Sequence, residues 1–242
     1  MASARRHAGL LGRIALARNA RTGVLSYVQR GGNQTRTDRD GVSLDAYIHA
    51  LYGLAMQSGA GRVLMIGCAG GTLATMLARS GVRVTAVDID PLAFRVARRH
   101  FNLPRSVDCV TGDGLAYMQS TRRVFDGVVI DAFVGERVPE QFMGPDLVRA
   151  AGRRLTADGA LFFNVCLDTT RDRTADRIAG LFRAEGWRTR LLDEGGGARN
   201  AIVAAGNVAR LRPPTLTLPP AIEAERIARG LRGWRFRQIV RG

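Results

Sequence analysis

The sequence predicts an open, mainly parallel α/β sheet with helices on both faces and a small β appendage in front of it. Three observations predict this. Short apolar runs alternate with helically spaced segments from residue 62 to residue 205. Runs such as Arg62 to Ile66 and Phe125 to Ile130 are apolar almost throughout, as strands covered on both faces must be. Glycine or aspartate stands where the first four runs end, and ligands of such sheets sit at the carboxyl ends of the strands.

Taken in order, Gly23 to Asp40 is rich in turn residues and holds one strand, Val24 to Gln29. Leu44 to Met56 then reads as an amphipathic helix. Arg62 to Ile66 is the first sheet strand, Gly67 to Gly71 a turn, and Thr72 to Arg79 a helix. Val82 to Val87 is the second strand; Pro91 opens a helix running to about His100. Ser106 to Val110 (strand), Leu115 to Ser120 (short helix) and Phe125 to Ile130 (strand) follow. Pro145 to Leu155 makes a helix, Ala160 to Cys166 a fifth strand, and Arg173 to Glu185 a helix. Two late strands lie near Thr189 to Leu192 and Ala201 to Ala205. The proline pairs at 213–214 and 219–220 mark an extended crossing before a terminal helix, Ile222 to Leu231. The expected organisation is an N-terminal β segment with its lead-in helix over 1–60, a nucleoside-binding domain over 61–206 and an Arg-rich extension over 207–242. No internal repeat is present.

Composition narrows the chemistry. Among 242 residues, 36 Lys+Arg face 21 Asp+Glu, a formal charge of +15, and there is no lysine, so every such cation is arginine. This excludes a Schiff-base lysine, a Gly-Lys phosphate loop and a lysine base. Arginine is too basic to accept a proton, so acid–base work falls to Asp, Glu, His, Tyr or Cys. The charge is +5 over residues 1–60, +3 over 61–165 and +7 over 166–242, so the segment with the motifs is nearly balanced. No apolar run approaches the ~18 residues of a membrane span, and the N-terminus lacks a secretory pattern, so the expected location is cytoplasmic. The first 22 residues, Arg-rich and acid-free, formally resemble a transit peptide but hold few hydroxyl residues. Cys68, Cys109 and Cys166 have no C-x-x-C spacing, and His7, His49 and His100 lie far apart, so no metal is expected.

The turn Gly67-Cys-Ala-Gly-Gly71 lets a ligand approach the backbone, and the next helix offers unpaired N–H groups. Asp88 ends the second strand, where a carboxylate accepts ribose hydroxyls. Asp113, within Thr111-Gly-Asp-Gly114, follows the third strand, where a carboxylate accepts from an adenine amino group. Asp131 follows the fourth. Each alone reads equally as a turn or helix cap; three on one edge beside a glycine turn favour a nucleoside site. Asp90 reads as a cap before Pro91.

The runs V-L-M-I-G-C-A-G-G-T, V-T-A-V-D-I-D-P, V-T-G-D-G-L-A-Y-M and D-G-V-V-I-D-A-F resemble, in this order, class I S-adenosylmethionine-dependent transferases. Within that class they are most similar to spermidine synthases and polyamine aminopropyltransferase-like proteins. Gly31-Gly-Asn-Gln34 and Ser43-Leu-Asp-Ala-Tyr47 fall where that family has a glutamine and a tyrosine. The resemblance implies a Rossmann-like, seven-stranded class I methyltransferase fold. It implies that Gly67, Gly70 and Gly71 line the site, that Asp88 binds ribose, that Asp113 and Gly114 bind adenine, and that Gln34 lies near the donor tail. Asp131 and Tyr47 match the pair that orients and deprotonates the attacking amine; Tyr47 also reads as an interior helix tyrosine. The implied co-substrate is S-adenosylmethionine or its decarboxylated form, without metal.

Two positions depart from the family. Its glycine turn carries an aspartate for the amino end of the decarboxylated donor, and here that residue is Gly70. Its second acceptor-binding aspartate is here Val134. Aminopropyl transfer to an amine, which the resemblance implies, is the first expectation, and methyl transfer, which the two departures suggest, is the alternative. The expected partner is a small-molecule acceptor, an amine; a homodimer is a lesser expectation, and a partner chain without catalysis stays open. Nucleic-acid binding, through Arg226, Arg229, Arg232, Arg235 and Arg237 with Trp234 and Phe236 between them, competes with a plain solvated helix in an arginine-rich chain.

Overall fold

A computed structural model describes residues 3–9, 12–29, 32–135 and 137–240. Strands β1 (Ser3–Gly9), β2 (Gly12–Arg18), β3 (Leu25–Gln29) and β4 (Gly32–Thr37) pair antiparallel in chain order as one small sheet. The Arg-rich start is thus two strands where none is expected. In β2, Ile14 and Leu16 are buried while Arg13 faces water and Ala15 and Ala17 are half-buried, a period of two. Gly31 of the upstream motif lies outside the described residues.

Helix α1 (Ala46–Gln57) leads into β5 (Arg62–Ile66), α2 (Thr72–Arg79), β6 (Arg83–Asp88), α3 (Pro91–His100), β7 (Asp108–Thr111), α4 (Gly114–Ser120) and β8 (Phe125–Ile130). Then come α5 (Pro145–Arg154), β9 (Leu155–Leu167), α6 (Thr174–Ala184), β10 (Thr189–Asp193), β11 (Arg199–Gly206), α7 (Ala224–Leu231) and β12 (Arg235–Arg237). The main sheet runs β12-β10-β11-β9-β8-β5-β6-β7. The five strands from β9 to β7 are parallel to their neighbours, while β11, β10 and β12 pair antiparallel. From β5 the chain builds outward to β6 and β7, then returns to β8 on the other side of β5. The order reverses there, and a crevice opens beyond the carboxyl ends of β5 and β8.

Period-two alternation makes β5 serve two cores. Val63 and Met65 join the layer under α1 and α2; Leu64 and Ile66 join the layer under α4, α5 and α6. A third cluster, Ile14, Leu16, Leu25 and Tyr27 against Val96 and Phe101, fastens the small sheet to α3. Burying side chains of this size contributes about 1.5–3 kcal/mol each. The proline-rich crossing lies over α1: a Cβ on Gly53 would come within 2.9 Å of Pro214 Cβ, and Gln57 exchanges hydrogen bonds with the Arg212 backbone.

The main sheet has eight strands, not the expected seven, because Arg235–Arg237 adds an edge to β10. This also corrects the picture of an exposed arginine and aromatic surface. Trp234 is fully buried, and Phe236 lies under the Arg190 guanidinium, 3.5 Å from its ring centroid. Arg237 pairs with Asp176 and Asp193 (2.8 and 2.6 Å), and Arg226 with Glu223 and the Leu44 carbonyl. These side chains hold the C-terminus to the sheet. No described helix is long and apolar enough to cross a membrane.

Candidate functional site

The glycine turn is shaped by what presses on it. Gly67 has φ +89°, and a Cβ there would lie 2.3 Å from the Asp131 carbonyl, so the turn packs on the end of β8. Its amide donates to Val87, and the Asp131 amide donates to Ile66, tying three strand ends together. Ala69 takes the left-handed conformation at φ +44°, which an alanine adopts only under constraint. Gly71, at φ +69°, precedes α2. Gly70 faces β4. Its amide donates to Thr35 Oγ1 (3.0 Å), and a Cβ would sit 2.7 Å from Thr35 Cγ2. Thr35 is buried and donates in turn to the Gln34 carbonyl (2.7 Å).

The carboxylates hang from the following strands. Asp88 accepts from the Cys68 amide through Oδ2 (2.8 Å) and from the Asp90 amide through Oδ1 (2.9 Å). Burial raises its pKa, and the backbone donors work against that rise. Asp90 accepts from the Leu92 amide (2.9 Å) with Pro91 opening α3, the capping role its sequence context suggests. Asp113 caps α4 through the Ala116 amide (2.8 Å), and its other oxygen accepts from Gln141 Nε2. Gly114 leaves room for the core beneath, since a Cβ would lie 2.2 Å from Ile66 Cγ2.

These residues surround a cleft of about 890 Å³, part of it open to solvent. It brings together Gln34, Gly67, Asp88, Asp113, Gly114 and Asp131. Gly70 and Gly71 support the turn without lining the cleft, and Tyr47 lies elsewhere. Tyr47 lines a smaller adjoining space of about 350 Å³ that shares Gln34, Ala69, Asp131 and Phe133 with the cleft. Asp131 therefore stands where the two spaces meet. Burial pushes its pKa up to about 6, against the opposing hydrogen bond from Asn164 Nδ2 to Oδ1 (2.8 Å). Burial also drives the Tyr47 hydroxyl well above its usual range, with Asp131 and Asp45 nearby. Among the described residues, no hydrogen bond joins Tyr47 to Asp131.

Several lining or supporting residues escape the sequence reading: Tyr27 and Gln29 from β3, Thr35, Phe133, Gln141 and Asn164. Asn164 left a signal, an amide within the apolar run Leu161-Phe-Phe-Asn-Val165. Its Oδ1 is buried without a hydrogen-bond partner. Among the described residues, no arginine lines either space, despite the chain's charge. Among the described residues, no group of three or more His, Cys, Asp and Glu is arranged to hold a metal ion.

A family model described as a methyltransferase domain matches residues 63–159. The ubiquinone biosynthesis O-methyltransferase of Methylocella silvestris is 34% identical over 132 residues, 53% of this chain and 48% of that protein. The polyamine aminopropyltransferase of Vibrio vulnificus is 28% identical over 153 residues, 58% of this chain and 51% of that protein. The chain spans about half the length, or less, of the curated relatives it matches. The crystal structure of a probable spermidine synthase from Corynebacterium glutamicum superposes with a TM-score of 0.79 at 19% identity, covering 98% of this chain and 91% of that one. The likeness takes in the small N-terminal sheet as well as the main one. Residues 63–159 are thus similar to a methyltransferase domain, and the chain as a whole has the fold of the probable spermidine synthase structure.

Proposed function

We propose that the chain is a transferase that takes an alkyl group from an S-adenosylmethionine-type donor and delivers it to an amine. The observation that carries this reading is Asp131, a desolvated carboxylate at the meeting point of two spaces, held by Asn164. In this reading Asp88 accepts the ribose hydroxyls, Asp113 and Gly114 meet the adenine, and the turn through Gly67, Gly70 and Gly71 carries the donor's middle. Gln34 lies near its tail. The donor supplies a carbon made electrophilic by its sulfonium.

An ammonium has no lone pair, so the acceptor must lose a proton before or as it attacks. As the C–N bond forms, the C–S pair returns to sulfur, giving a neutral thioether, and the amine's proton passes to Asp131. A carboxylate whose pKa is raised toward 6 is a better acceptor for that proton than an ordinary aspartate. Tyr47, from the adjoining space, helps orient the amine.

Aminopropyl transfer is the first form of this reading, supported by the full-length likeness to a spermidine synthase fold and by the Asp131 and Tyr47 arrangement. Methyl transfer is the second, favoured by one contact. Thr35 fills the space a side chain at position 70 needs, so no carboxylate stands there to bind the bare ammonium of a decarboxylated donor or to repel the carboxylate of the intact one. Titration calorimetry with both donor forms separates the two. Micromolar binding of one form is expected, weakened at least tenfold by Asp88→Ala; no binding of either form ends the transferase reading.

A further inference from the structure

We infer that the acceptor carries a single amine on an apolar body and no carboxylate, an inference that rests on the transferase reading above. The cleft's acids are mostly committed. Both oxygens of Asp88 accept backbone amides and those of Asp113 the Ala116 amide and Gln141, and in the transferase reading their remaining lone pairs take the ribose and the adenine. Asp90 caps α3 and lies against β1, where a Cβ on Gly9 would come within 2.3 Å of its Oδ2. Asp131 gives Oδ1 to Asn164, which leaves Oδ2 for an incoming nitrogen. Asp45, a neighbouring acid, lines neither space; it accepts the Arg36 amide and lies in the field of Arg36 and Arg226.

Among the described residues, one ammonium thus finds a carboxylate, and a second would lose its water without gaining a partner. A carboxylate on the acceptor fares no better, because among the described residues no arginine lines either space. Beyond Asp131 the wall is Phe133, Val134, Pro139 and Phe142. Val134 lines the cleft while 47% exposed, and two backbone hydrogen bonds with Arg137 around Gly135 (φ +69°) fix its place. Such a wall gains by covering hydrocarbon.

The test begins with calorimetric titration of the full chain by both donor forms, which reports on the transferase reading alone. With the form that binds, 2-phenylethylamine and 1,4-diaminobutane then compete at equal concentration, and mass spectrometry counts the alkylated products. The expected result is at least tenfold preference for phenylethylamine. Val134→Asp should shift the product ratio at least tenfold toward the diamine, and Val134→Leu should keep the parent's preference. Equal or faster alkylation of the diamine, alkylation of neither amine by the donor-bound protein, or an unchanged ratio in Val134→Asp overturns the inference. Failure of both donors to bind overturns the transferase reading, and the inference with it.

Discussion

Asp193 and Asp131 are both aspartates at strand ends, the first buried and the second half-buried, and their surroundings treat them in opposite ways. Asp193 accepts from Arg199 Nε (2.7 Å), Arg237 Nε (2.6 Å) and the Gly195 amide (2.9 Å). Burial pushes its pKa up, but the arginine hydrogen bonds outweigh burial and hold it below the ordinary range. Asp131 has burial without an arginine, one amide donor in Asn164 and a second carboxylate, Asp45, in its field, so its pKa rises to about 6. The arginine excess is therefore local. It clamps the C-terminal strand, and among the described residues no arginine lines the cleft.

Replacing each member of the pair sharpens the contrast. Asp131→Asn should lower kcat/KM by about 10²–10⁴, the usual share of a general base; unchanged turnover removes Asp131 from that role. The same variant should be more stable than the parent above pH 6. The folded pKa lies above the ordinary value of 3.8, so the folded state keeps a proton that the unfolded chain releases, and stability falls as pH rises between the two values. About two pH units correspond to a penalty on the order of 3 kcal/mol, fully present above pH 6 and absent in the asparagine variant.

Asp193→Ala should cost about 3–5 kcal/mol in urea unfolding, because it strands Arg199, whose side chain is only 6% exposed, and half-frees Arg237. Its pH trend has the opposite sign. A lowered carboxylate pKa means stability that is present above the ordinary carboxylate range and lost as pH falls through the lowered value, so Asp193→Asn should flatten the parent's decline below about pH 4. A variant that declines as steeply as the parent would show that the clamp is not electrostatic. Arg149→Ala sets the lower bound. Its pair with Asp146 is 53% and 64% exposed, and a shift within about 0.5 kcal/mol is expected.

The centre of the molecule was legible because its signals are local. Arg62–Ile66, Thr72–Arg79, Pro91–His100 and Phe125–Ile130 match their expected bounds, since each is an apolar run or a helical period closed by glycine, proline or aspartate. The convergence of Asp88, Asp113 and Asp131 on one cleft follows from the same strand-end positions, while Gln34, inside β4, was suggested by the resemblance alone. What escaped depends on partners far away in sequence. The clamp joins Asp176, Asp193 and Arg237, and β12, at three residues, exists because β10 offers an edge and Arg190 covers Phe236. In β2 the alternation of Ile14 and Leu16 was present, but arginines around it obscured the buried face. That Thr35 meets Gly70 depends on how the small sheet docks, which no local pattern records.

The contact between Thr35 and Gly70 also constrains how this protein can change by descent. A carboxylate at position 70 is not one substitution away, because its Cβ would stand 2.7 Å from a buried threonine methyl whose hydroxyl is already bound to the turn. Position 35 has to shrink first, and that step alone confers nothing on the donor site. The two changes are ordered, so a chain carrying this threonine keeps position 70 without a side chain until the small sheet gives way.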